Sequence, residues 1–104
     1  MTVTSIDKAR RILTTVNNGM VYSFGEMQLE MEWLNQEEIL STMQSVQGKG
    51  MDKSDLRSGL ENLTVLGFLE KRDPERKTQS KAEYSITEKG KSKLSELDQM
   101  ERSL

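Results

Sequence analysis

Two short stretches of this 104-residue chain carry the side chains best able to grip another molecule. The first is Lys53-Ser54 followed by Arg57-Ser58, where a four-residue spacing places a cation and a hydroxyl on one helical side twice over. The second runs from Lys71 to Lys81, where Lys71, Arg72, Arg76, Lys77 and Lys81 outnumber Asp73 and Glu75 by five to two. Such groups make ionic and hydrogen-bonding contacts to a charged partner. Bond-making chemistry has little to work with. The chain holds neither His nor Cys, which excludes imidazole or thiolate metal sites, thiol nucleophiles, disulfides and any triad built on histidine. Carboxylate neighbours such as Glu37-Glu38 are present, but nothing about them suggests a pocket or a nucleophile, so no enzyme activity, cofactor or metal is expected.

Two apparent motifs fail on their own chemistry. Gly48-Lys49-Gly50-Met51-Asp52-Lys53-Ser54 ends in Lys-Ser like a phosphate-binding loop, yet Gln47 and Asp52 stand where the required glycines belong. Asn62-Leu63-Thr64 matches a glycosylation acceptor only formally, because it falls inside an expected helix. Met1 to Asp7 is polar and develops no apolar core of a secretion signal. The longest apolar stretch, Val65-Leu66-Gly67-Phe68-Leu69, is far too short to span a bilayer. The expectation is a soluble, cytoplasmic protein with no membrane partner.

Charge is uneven along the chain although the net value is only −2. Lys8, Arg10 and Arg11 against Asp7 leave residues 1–25 basic, whereas Glu26, Glu30, Glu32, Glu37 and Glu38 make 26–48 purely acidic. Residues 49–93 hold eleven bases against eight acids, so a charged partner should meet the later part. Counting glycine but not tyrosine, 40 of the 104 residues are apolar, below the ~45–50% usual in globular proteins. One small domain spanning 1–104, with a thin core or one shared with a partner, is the consequence.

The elements that must position these groups follow from periodicity. Ile6, Ala9, Ile12, Leu13 and Val16 give a first helix over Ser5–Asn18, stopped by Gly19. Met27, Leu29, Met31 and Trp33 alternate with polar residues and read as a strand, with Met20–Phe24 as its hairpin partner; Met27, Met31 and Leu34 also fit one side of a helix. Trp33, the sole tryptophan, reads as core in preference to a partner surface. Asn35 caps a second helix over about 36–46, and Gln47-Gly48-Lys49-Gly50 breaks it. Asp52 is the expected N-cap of a third helix, with Met51 and Leu56 as a hydrophobic staple and Leu56, Leu60, Leu63 and Leu66 as its buried stripe up to Gly67. Phe68–Lys71 and Glu83–Ile86 form a hairpin with a charged tip, and Thr87 opens a last helix.

The run from Leu56 to Lys71, followed after the hairpin tip by Tyr84-Ser85-Ile86-Thr87-Glu88-Lys89-Gly90-Lys91, resembles the recognition helix, wing and closing helix of MarR-like and PadR-like transcription regulators. The resemblance covers roughly 50–93. It implies a winged helix-turn-helix, mainly α with a small antiparallel β-wing and a C-terminal helix. The helix-turn-helix would lie at about 36–66, the wing at about 68–86 and a closing helix at about 88–104. It also implies double-stranded DNA as partner and transcription regulation as function. On that reading Lys53, Ser54, Arg57 and Ser58 face the major groove, and only Arg57 among them can hold a guanine with two hydrogen bonds. Lys49, Arg72, Arg76, Lys77 and Lys81 would contact the backbone or minor groove. Arg57 is equally able to pair with Glu61 four residues on, and a charged hairpin tip taken alone is usually a solvated loop. A winged helix can also serve as a protein-interaction adaptor, which suits the acidic balance of the chain. A single module buries only ~600–1,000 Å² on DNA, so a homodimer is expected, paired through Leu94, Leu97, Met100 and Leu104. The alternative is that this last helix folds back on the first helix of its own chain.

Overall fold

The computed structural model describes residues 3–48, 50–73 and 82–102. In chain order the elements are α1 (Val3–Asn18), β1 (Met20–Phe24), β2 (Met27–Met31), β3 (Leu34–Asn35), α2 (Gln36–Gln47), α3 (Lys53–Val65), β4 (Leu69–Arg72), β5 (Glu83–Ile86) and α4 (Glu88–Arg102). The architecture is mainly helical with a small antiparallel wing, as expected. β1 and β2 form their own two-stranded hairpin, which settles the alternating segment as strand rather than helix. β5 lies between β3 and β4 in a three-stranded sheet.

One core joins the helices to that sheet. Ile12, Leu13, Leu34, Ile39, Met43, Leu56 and Leu60 are completely enclosed, and Val16, Leu63, Leu69, Tyr84, Leu94 and Leu97 complete the cluster. Every contributing helix shows only one apolar stripe, so burying it requires a neighbour on that side. α1 is the shared neighbour, lying against α2, α3, α4 and β5. Its approach to α3 depends on Gly59, because a Cβ there would stand 2.5 Å from Ile12 Cδ1.

α4 is seated just as closely. A Cβ on Gly90 would collide with the Phe68 carbonyl, while Thr87 Oγ1 accepts from the Gly90 N–H at 3.0 Å and donates to the Gly67 carbonyl at 2.7 Å. Thr87 therefore caps α4 and ties its start to the end of α3. Leu94 and Leu97 are 7% and 6% exposed within their own protomer. This corrects their assignment to a dimer face: the helix folds back on α1, and the two leucines are spent on the core of one chain. Met100 remains 48% exposed, and Leu104 lies outside the described residues.

Two other expectations change. Leu66 is 50% exposed, because it occupies the C-cap of α3, about a quarter turn off the Leu56–Leu60–Leu63 stripe. Past it, Gly67 at φ +85° closes the helix, with Gly67 N–H donating to Thr64 and Phe68 N–H to Leu63. Trp33 is half-buried rather than in the core. Its ring carries the Arg72 guanidinium 4.3 Å above the centroid.

Candidate nucleic-acid interface

The face that could meet a polyanion is built by the α2–turn–α3 unit. Asn35 and Glu38 form a reciprocal cap: the Asn35 side chain accepts from the Glu38 N–H at 2.9 Å, and the Glu38 carboxylate accepts from the Asn35 N–H at 3.0 Å. α2 ends on Gly48 in the left-handed region at φ 78°. The turn that follows is pinned from below by α1. Arg11 donates to Gln47 Oε1 at 2.9 Å and to the Gly50 carbonyl at 3.1 Å, and Gln47 Nε2 donates back to Thr15 Oγ1 at 3.0 Å. The bend between α2 and α3 thus depends on a helix that sequence reasoning treated only as core.

α3 starts at Lys53 with Asp52 at its N-cap, but the Asp52 side chain makes no capping bond. The half-buried Met51 packs against the core cluster to which the enclosed Leu56 belongs. Leu56, Leu60 and Leu63 turn inward, and Lys53, Ser54, Arg57, Ser58 and Glu61 are all exposed. Arg57 Nε stands 3.8 Å from Glu61 Oε1, with side chains 75% and 62% exposed. A solvated pair of that length contributes roughly 0.3–0.5 kcal/mol and is easily exchanged for a better partner. Asp55, on the flank, is held by Lys8 of α1 at 3.0 Å.

The wing splits in its use of charge. Arg72, expected to reach the backbone, donates to Glu83 Oε1 at 3.1 Å and stacks on Trp33. Glu83 is only 8% exposed, so this pair holds the outer side of the sheet, and Arg72, expected as a backbone contact, is engaged within the chain by Glu83 and Trp33. Lys71, one residue earlier, points to the opposite side by strand alternation and sits directly across from Tyr84. Lys49, Arg76, Lys77 and Lys81 lie outside the described residues.

Between the wing and α3 opens a cleft of about 290 Å³. The start of α2 with Gln36 and Glu37, the outward side of α3 with Lys53, Arg57 and Glu61, and Lys71 and Tyr84 of the sheet line it. Sequence reasoning missed Tyr84 and Gln36 here. The alternation of Tyr84 with Ile86, opposite Lys71, was a readable signal once the hairpin register was known. Among the described residues no group of three or more carboxylates could hold a metal ion, and no helix is long and apolar enough to cross a membrane. Comparison with family models, with curated proteins and with solved structures gave no significant match.

Proposed function

We propose that the protein binds double-stranded DNA as a winged helix-turn-helix regulator, with α3 in the major groove and the wing beside the backbone. The observation that carries this reading is the collection of Lys53, Ser54, Arg57 and Ser58 on one exposed side of α3, the side not used for packing. Arg57 supplies the bidentate donor for a guanine, and its weak pairing to Glu61 costs little to break. Arg57→Ala is expected to weaken binding to a preferred sequence by about 1–3 kcal/mol and to relax preference at one base pair, with folding intact. Selection among random duplexes reads that preference, and equal losses on every sequence would remove Arg57 as a base reader.

A protein-interaction adaptor is the second reading, and one observation favours it. The charges of α3 itself cancel, Lys53 and Arg57 against Asp55 and Glu61. A salt titration of binding to random-sequence duplex separates the two. Phosphate neutralisation gives a log-log slope near −0.9 per contact, so a steep slope supports the DNA reading and an absence of duplex binding supports the adaptor. Pairing of two copies would have the exposed Met100 and the outer side of α4 to use, since Leu94 and Leu97 are enclosed. Sedimentation of the full chain tests that separately, and a monomer would overturn the pairing without touching the duplex reading.

A further inference from the structure

We infer that the cleft between α3 and the wing is a site for a phosphate oxyanion, with Tyr84 as a donor at its floor. The inference deepens the proposed function at the same face, and its test lets the two fail separately. Tyr84 is 8% exposed, yet its hydroxyl has no hydrogen-bond partner among the described residues. No fully buried side-chain polar atom among those residues lacks a partner, so the hydroxyl keeps some exposure, and Tyr84 lines the cleft. A phenol this far buried is held in place and costs little entropy to use. Lys53 and Lys71 face the same space from α3 and β4, and neither has an ion pair among the described residues. The lining sets three cations, Lys53, Arg57 and Lys71, against two carboxylates, Glu37 and Glu61, the latter facing Arg57, which leaves the balance offered to an incoming group positive.

The spread of the donors over separate elements selects the anion. Lys53 comes to the cleft from α3, Lys71 and Tyr84 from the sheet, and Gln36 and Glu37 from the first turn of α2, where the Asn35 side chain caps the Glu38 N–H. A planar carboxylate offers two oxygens in one plane. A tetrahedral phosphate offers oxygens out of one plane and so serves donors from several elements at once. The volume lies at the small end of ligand sites, enough for a phosphate group and a small body attached to it. Duplex backbone and free phosphate share this chemistry, and they are distinguished by experiment.

The full chain is titrated with inorganic phosphate at constant ionic strength, following backbone amide shifts, and in parallel with random-sequence duplex. Tyr84→Phe keeps the buried ring and deletes the donor, and Lys71→Met alters an exposed side chain that folding does not need. Thermal melting confirms both variants as folded. A saturable response to phosphate around Lys53, Lys71 and Tyr84, weakened about three- to tenfold by each variant, supports the site with free phosphate as a ligand. Loss confined to the duplex arm supports the site with the DNA backbone as its source. Phosphate binding lost in Tyr84→Phe without any duplex binding would keep the site and sink the regulator reading. If both variants match the native chain in both arms, the inference is overturned while the DNA reading stands.

Discussion

The ladder of β1 and β2 joins five residue pairs, from Met20 opposite Met31 to Phe24 opposite Met27, whereas β5 pairs with four residues of β4 and two of β3. By ladder length the first hairpin is the better formed. By its neighbours it is the more isolated one. Leu34, Leu69 and Tyr84 press one side of the three-stranded sheet into the helical core, and the Arg72–Glu83 pair with the Trp33 ring covers the other. β1 and β2 touch chiefly each other, with Met31 packed on the core and Met27 66% exposed at the far end. A two-stranded ribbon gains little from its own hydrogen bonds in water, so stability should follow what covers a sheet and not how long its ladder is.

Substitutions can break that contrast in graded fashion. Leu69→Ala removes an enclosed side chain from the three-stranded sheet and should cost about 2–5 kcal/mol in urea unfolding, enough to unfold a small domain. Arg72→Ala leaves the nearly enclosed Glu83 carboxylate without its donor and uncovers Trp33, for a loss of about 1–2 kcal/mol. Arg72→Lys should recover only part, since an ammonium keeps the charge but neither the flat stacking on the ring nor the fork of donors. Met27→Ser, at the tip of the other hairpin, should shift stability by no more than about 0.5 kcal/mol. Amide exchange sharpens the comparison without mutation: β5 amides should open only with global unfolding, and β1–β2 amides should open by a cheaper local route. Equal protection of both sheets would show that the first hairpin has cover of its own.

The same contrast explains what sequence reasoning could and could not see. The helix stop at Gly19, the Asn35 cap and the return strand Glu83–Ile86 all depend on residues within a few positions of one another, and all are present. The side of α3 left for a partner was readable too, because three leucines at helical spacing decide which side is hidden. What the sequence left open were choices that depended on a distant neighbour. Leu94 and Leu97 form a stripe whether α1 or a second copy covers it, and only the folded chain shows α1 there. Arg72 and Lys71 are adjacent bases with opposite uses, since strand alternation sends one to Trp33 and Glu83 and the other to the cleft.

Local chemistry along the chain was therefore sufficient for the elements, their ends and the mainly helical class, because caps, turns and periodic stripes act over one or two turns of backbone. Tertiary structure alone decided that Arg11 pins the bend between α2 and α3, that Gly90 lets α4 meet the Phe68 carbonyl, and that Tyr84 ends in a cleft beside Lys53 and Lys71. Each of these joins residues far apart in sequence, and no periodicity records such a pair: it arises only when the apolar stripes of separate elements find one another and bring their polar edges along.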